Sequence, residues 1–357
     1  MTEQSDIDVI KQRKLDGLNV PLNKEVQAKT TSTYLEYVRL VHNALPELNF
    51  DEIDTSMTFL NHKFGAPLII DSMTGGTPEA TKINERLAET AEELGLGMGL
   101  GSQRAGLKSK ELAETYSVAR EHAPNAFLIA NIGGAQLAKG LSVDEAKQII
   151  DMINANALVV HLNPLQELIQ PEGEPQFKGV YQKIADLVKS LGIPVIVKEV
   201  GAGISREVAV KLEVIGVKAI NVAGSGGTSW AGVEKLRAES MGNELKVHLG
   251  EMFWDWGIPT AASLIEVRKA VQLPLVASGG LRNGLEVAKC LVIGADMCAM
   301  ALPFLKQAAV SREAVMQFAS MLLNELKSTM YLVGAKDVKA LKASRHALTG
   351  PLAEWFK

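Results

Sequence analysis

PVIVKEVGAGISREVAVKLEVIGVKAINVAGSGG (194–227) decides the fold. Its first part, PVIVKEVG (194–201), is an apolar run without alternation, the pattern of a parallel strand covered on both faces. A helical pattern, REVAVKLEVIG, follows and ends on Gly216, a usual helix stop. AINVAGSGG (219–227) then supplies a second run that ends in glycines. Strand, helix and strand in this order predict one βαβ unit.

Working outward, the same theme recurs from residue 67 onward. PLIIDSMTGG (67–76), LGMGLGSQR (96–104), FLIANIGG (127–134) and ALVVHLN (157–163) precede it; PLVASGG (274–280) and ADMCAMALP (295–303) follow. Eight strands alternating with helices fit a doubly wound open sheet or a closed barrel. Their near-regular recurrence, without a break in the middle, predicts an α/β chain forming a (β/α)₈ TIM barrel. Residues 1–66 lack the pattern and read as an N-terminal extension that caps the barrel or reaches a neighbour. Residues 67–357 read as the barrel with its C-terminal helices. Two excursions, LIQPEGEPQFKG after strand four and 228–260 after strand six, leave the face where barrel sites are built.

Composition narrows the function classes. Hydrophobic residues are 47% of the 357 and charged residues 22%, which excludes a disordered or fibrous chain. The net charge of −4 offers no basic field to nucleic acid or acidic membranes. The N-terminus is polar and acidic, unlike a signal peptide, and no segment is apolar enough to span a membrane. Cys290 and Cys298 read as reduced core thiols, so a soluble, cytoplasmic protein is expected.

Residues just past each run should converge on one mouth. They are Met73-Thr74-Gly75-Gly76, Ser102-Gln103-Arg104, Asn131, His161 through Glu167, Lys198-Glu199, Gly224 to Thr228 and Ser278-Gly279-Gly280. The turns AGSGGTSW and ASGGLRNG bare backbone N–H groups, and the second opens into a helix N-terminus. With Thr228 and Arg282 beside them they read as a phosphate cradle. Lys198 is a strand lysine needing an anionic partner. Its readings are an ion pair with Glu199, a Schiff base, or a grip on the electron-rich edge of a cofactor. His161 and Asn163 share a strand face, and Glu167 could hold a divalent cation beside substrate phosphates.

Taken together these strings resemble the type 2, FMN-dependent isopentenyl diphosphate isomerases. The resemblance spans nearly the whole chain through MTGG (73–76), GSQR (101–104), Asn131, HLNPLQE (161–167), QPEGEP (170–175), VKE (197–199), GGTSW (226–230), DWGIPTAAS (255–263), SGGLRNG (278–284) and MALP (300–303). It implies interconversion of isopentenyl and dimethylallyl diphosphate with FMN and Mg²⁺, NADPH as reductant, and a homo-oligomer, tetramer or octamer. It places the flavin ring near Met73, Thr74, Gly75, Ser102, Asn131 and Lys198. Its phosphate falls at Thr228, Gly280, Leu281, Arg282, Ala301 and Leu302. Substrate falls to Arg13, Lys14, Ser102, Gln103, Arg104, His161, Asn163 and Gln166. Glu167 becomes the metal ligand, and Gln166 and Lys198 the catalytic residues. Two positions depart from the family pattern: Gly17 stands where a histidine is expected, and Ala223 where a hydroxyl-bearing residue is. The alternatives are an FMN barrel performing net redox, of the 2-hydroxy acid oxidase or IMP dehydrogenase type, a Schiff-base aldolase, and a non-catalytic flavin- or phosphate-binding sensor.

Overall fold

The computed structural model describes residues 3–173 and 175–357; Met1, Thr2 and Glu174 of the QPEGEP string lie outside the described residues. Eight strands close into a barrel: β1 (Leu68–Ile70), β2 (Gly97–Gly99), β3 (Phe127–Gly133), β4 (Ala157–His161), β5 (Val195–Lys198), β6 (Ala219–Asn221), β7 (Leu275–Ala277) and β8 (Met297–Met300). Neighbours in sequence pair in parallel, and β8 closes on β1 with Cys298 opposite Leu68, Ala299 opposite Ile69 and Met300 opposite Ile70. All eight apolar runs therefore form strands, and the open-sheet alternative falls.

The local chemistry sets the helix limits. Helix Pro78–Leu94 starts where the Thr77 side chain accepts a hydrogen bond from the Ala80 N–H, with proline in the first turn. It stops at Gly95, whose φ of 62° is left-handed. Helix Arg312–Val333 is likewise capped by Ser311 and stopped by Gly334 at φ 74°.

Alternation along each strand separates two cores. Leu68 and Ile70, or Val195 and Val197, face outward into the layer under the helices. Ile69, Ile129, Val159, Ile196, Val276 and Met297 face inward and fill the barrel. The N-terminal segment closes that inner core from below. Strands Met57–Phe59 and His62–Phe64 form a hairpin whose Phe59 and Phe64 join the inner cluster, with the Phe64 and Phe127 rings 5.3 Å apart. Val38–Leu40 pairs antiparallel with His346–Leu348, tying the extension to the C-terminus. At the opposite end, helix Glu3–Asn23 reaches the mouth of the barrel, where Arg13, Lys14, Gly17, Leu18 and Pro21 line the cavity. The excursion after β6 forms helices Trp230–Ser240 and Glu244–Met252, which pack together and against helix Pro164–Ile169. Cys290 and Cys298 are free and buried. Among the described residues no helix is long and apolar enough to cross a membrane.

Candidate active site

Continuing each inward alternation by two residues builds a polar layer above the apolar filling. Asp71 follows Ile69, Asn131 follows Ile129, His161 follows Val159, Lys198 follows Ile196, Asn221 follows Ala219 and Ser278 follows Val276. All of these side chains are buried except the half-buried His161. They are hydrogen-bonded, as groups taken from water must be. Above them lies a cavity of about 240 Å³, to whose wall all eight strand ends contribute.

Lys198 does not pair with Glu199. Its Nζ lies 2.8 Å from Asp71 Oδ2, and both side chains are about one-tenth exposed. Asn221 Nδ2 reaches the same oxygen at 3.4 Å, and Asn221 Oδ1 accepts the Ser278 hydroxyl at 2.7 Å. Glu199 points the other way and accepts the N–H groups of Val200, Gly201 and Ala202 at 2.5–2.6 Å. Burial nevertheless pushes its carboxyl up to about 7 against those three bonds.

The β2 and β4 ends form a cationic rim. Lys14 Nζ and the Tyr116 hydroxyl both donate to the carbonyl of Ser102, at 2.8 and 2.9 Å. Burial, then the charges of Arg13 and Arg104, lower Lys14 to about 7. His161 Nδ1 lies 2.8 Å from Asn131 Oδ1, while Asn131 Nδ2 donates to the Leu100 carbonyl. Burial, and then Lys14, Lys198 and Arg13, lower His161 to about 3, so its ring is neutral.

Asn163 donates to Gln166 Oε1 at 3.1 Å and to Glu167 Oε1 at 3.3 Å, while its own Oδ1 is buried without a hydrogen bond. Gln166 Nε2 donates to Glu234 Oε1 at 2.9 Å. Behind Glu234, Arg237 gathers three carboxylates: Glu234 and Glu172 at 2.7 Å and Asp16 of the N-terminal helix at 3.1 Å.

At the β7 and β8 ends Gly279 and Gly280 have φ of 95° and 79°, a backbone glycine adopts readily. A Cβ on Gly227 would strike the backbone N of Gly280, so the two glycine turns touch each other. Arg282 donates to Gln27 Oε1 and to the Leu281 carbonyl. Ala301 caps helix Leu302–Val310, whose N-terminus faces the same cavity. Residues 26–33 run across this end and are stitched down. Ser229 N–H donates to Val26, Ala28 N–H to Gly227, and Ala261 N–H to Thr33. The N–H groups of Lys29 and Thr30 donate to the Asp255 carboxylate.

Most residues singled out in the sequence line this cavity, from Arg13 and Lys14 through Met73, Thr74, Ser102, Asn131 and Lys198 to Thr228 and Leu302. Three do not. Gly75 stands behind the wall, where a Cβ would enter the Tyr116 ring. Gln103 is fully buried; it accepts the Asn131 N–H and donates to the Ile149 carbonyl, so it supports the wall. Arg104 acts from behind through its charge on Lys14. Sequence reading missed Asp71 and Asn221, although the two-residue step from Ile69 and Ala219 points to them. It also missed Glu234 and Arg237, whose i, i+3 spacing was the available signal. Of the departures, Gly17 lines the cavity with nothing within 4 Å of a Cβ placed on it. Ala223 lines it at a left-handed φ of 39°.

A glycine cradle backed by a helix N-terminus, beside a buried lysine, suits a phosphorylated planar cofactor. The chain belongs to the FMN-dependent dehydrogenase family, whose profile matches residues 135–348. Solved structures with the same fold include mandelate oxidase with an FMN adduct, at TM-score 0.64 and 17% identity over 96% of this chain and all of that one.

Within that class the chain belongs to the isopentenyl-diphosphate delta-isomerases. It is 45% identical to that of Methanothermobacter thermautotrophicus over 98% of this chain and 96% of the relative. For Archaeoglobus fulgidus the figures are 46%, 96% and 97%, and for Nostoc sp. 46%, 95% and 96%.

Proposed function

We propose that this chain interconverts isopentenyl and dimethylallyl diphosphate by a 1,3-proton shift that requires reduced FMN and Mg²⁺. The observation that carries the reading is two anion seats on one rim, the glycine cradle at β7–β8 and the cationic cluster at β2–β4, with Lys198 between them in the floor. One seat suits the FMN phosphate and the other a diphosphate. When bound, reduced FMN supplies the proton exchange and the charge stabilisation that an unactivated alkene needs and no ordinary side chain provides.

The chain's own residues bind and orient. Thr228, Gly280, Leu281, Arg282, Ala301 and Leu302 hold the phosphate of FMN. Met73, Thr74, Ser102 and Asn131 would border the ring, and Lys198 would supply a charged donor to it. Arg13, Lys14, Ser102, His161 and Asn163 would hold the diphosphate and so orient the isoprenoid group for the proton shift. Glu234 orients the Gln166 amide beside the isoprenoid group. Glu167 fits a magnesium site, since that ion takes few protein carboxylates and completes its shell with phosphate oxygens and water. The orphaned Asn163 Oδ1 beside it adds a further oxygen. Glu85, Glu89 and His122 also cluster closely enough to ligate a metal, but Glu89 is already paired with Arg312 outside the cavity. NADPH as reductant, assembly as a tetramer or octamer and a cytoplasmic setting complete the proposal.

The decisive experiment mixes the protein with FMN, Mg²⁺ and isopentenyl diphosphate anaerobically, before and after reduction. Dimethylallyl diphosphate should form only with reduced flavin, and the flavin should stay reduced through many turnovers. Equal turnover with oxidised flavin, or flavin oxidation in step with product, rejects the reading.

A further inference from the structure

The acid that pairs with Lys198 lies on the far side of the sequence, and its surroundings give it one orientation. Asp71 Oδ1 accepts the N–H of Ser72 at 2.8 Å, which fixes the carboxylate plane. Oδ2 faces Lys198 Nζ and Asn221 Nδ2. Asn221 is held in turn by Ser278, so β1, β5, β6 and β7 are joined by one chain of hydrogen bonds across the cavity floor. An ammonium has three donors, and Asp71 takes one of Lys198's.

We propose that Asp71 is a positioning residue for Lys198: its carboxylate fixes the ammonium in the floor and offsets its charge, so that a flavin ring above meets a nearly neutral pair. The proposal rests on the FMN reading above. Two-electron reduction with one proton leaves a negative charge on the ring. Lys198 alone would draw the equilibrium toward that form, and Asp71 opposes the pull. The charge of the pair thereby sets how readily the bound flavin gives up its electrons, and the fixed Nζ sets where the ring edge docks.

The test is the midpoint potential of bound FMN, titrated anaerobically with dithionite, in the wild-type protein, Asp71→Asn, Lys198→Met and the double variant. Asp71→Asn should favour binding of the reduced over the oxidised form by about tenfold, a rise of about 30 mV for a two-electron couple. Lys198→Met should shift it the opposite way, and adding Asp71→Asn to Lys198→Met should change the ratio less than threefold, because a buried carboxylate without its cation takes up a proton and no longer carries the charge. An unchanged potential in a folded, FMN-bound Asp71→Asn protein overturns the proposal, as does a full tenfold shift in the absence of Lys198. If Asp71→Asn alone fails to fold, the double variant decides. Its folding with the potential of Lys198→Met supports the pairing, and its failure to fold shows that Asp71 serves something other than the lysine. A wild-type protein that takes up no FMN rejects the functional reading instead.

Discussion

His161 Nδ1 lies 2.8 Å from Asn131 Oδ1, and Asn131 has already spent its amide on the Leu100 carbonyl. The asparagine oxygen can only accept, so Nδ1 carries the imidazole proton that faces it. Asn131→Ala removes that constraint and should weaken binding of isopentenyl diphosphate by about tenfold, the scale of a hydrogen bond at a charged site. Calorimetric titration of the variant checks this, and an unchanged Kd counts against the tautomer argument.

Diphosphate binding should be linked to proton uptake. Lys14 is held near 7 by burial and by Arg13 and Arg104, and His161 near 3 by burial and the neighbouring cations. An incoming polyanion raises both. Affinity should therefore be greatest below pH 7, where free Lys14 is already charged, and fall as the pH rises toward the bound value. Titrations in buffers of different ionisation enthalpy at pH 8 should report uptake that Lys14→Met diminishes. Equal uptake in the two proteins would exclude Lys14 as its source.

Arg237→Ala leaves Glu234, Glu172 and Asp16 facing one another without a cation. Breaking a buried charge cluster costs about 3–5 kcal/mol. At about 2.1 cal/mol/K per residue, a chain of 357 residues shifts by roughly 1.3 °C per kcal/mol, so the melting temperature should fall by about 4–7 °C. Limited proteolysis should also cut helix Glu3–Asn23 sooner, because Asp16 is released. Arg237→Lys, lacking the planar fork, should rescue only in part.

Gly17→Ala adds a methyl group into open space on a helix. It should stabilise by about 0.5–1 kcal/mol, read as a small rise in melting temperature. Gly17→His places an imidazole in the same space beside Arg13 and should tighten diphosphate binding. If Gly17→Ala destabilises, the space is not open.

At the other seat, Gly227→Ala drives a methyl group into Gly280, and Arg282→Met removes the guanidinium. Each should weaken FMN binding by tenfold or more, because charge-assisted hydrogen bonds are worth about 1.5–3 kcal/mol. Fluorescence quenching of free FMN on titration with the protein measures it. Retention of wild-type affinity by both variants would place the phosphate elsewhere.

The strands were legible because each is covered on both faces and so reads as an unbroken apolar run. The glycine turns were legible because they follow those runs directly. The lysine's partner was harder, since Asp71 is embedded in the run that forms β1 and meets Lys198 only when the barrel closes, 127 positions along the chain. Glu199 was one candidate by adjacency, and strand alternation, which argues against it, does turn it toward its own loop N–H groups. Gln103 sits between Ser102 and Arg104 and shares their sequence signal, but its side chain is absorbed by Asn131 and Ile149. Arg237 reads as an ordinary charge in the excursion after strand six until Asp16 of the N-terminal helix reaches it. What sequence hides here is closure, because contacts made by completing the barrel or laying down the extension join residues with no local pattern in common.

The stretch from Val26 to Thr33 is pinned across the glycine turns by five backbone donors. Gln27 of this band accepts from Arg282 of the glycine turn, so local opening of the band should loosen a phosphate held there, and the residence time of the prosthetic group should follow the local opening rate of the chain as well as its contact energy. Substitutions at Asp255, remote from the isomerised bond, would then shorten that residence time while leaving the chemistry of each round untouched.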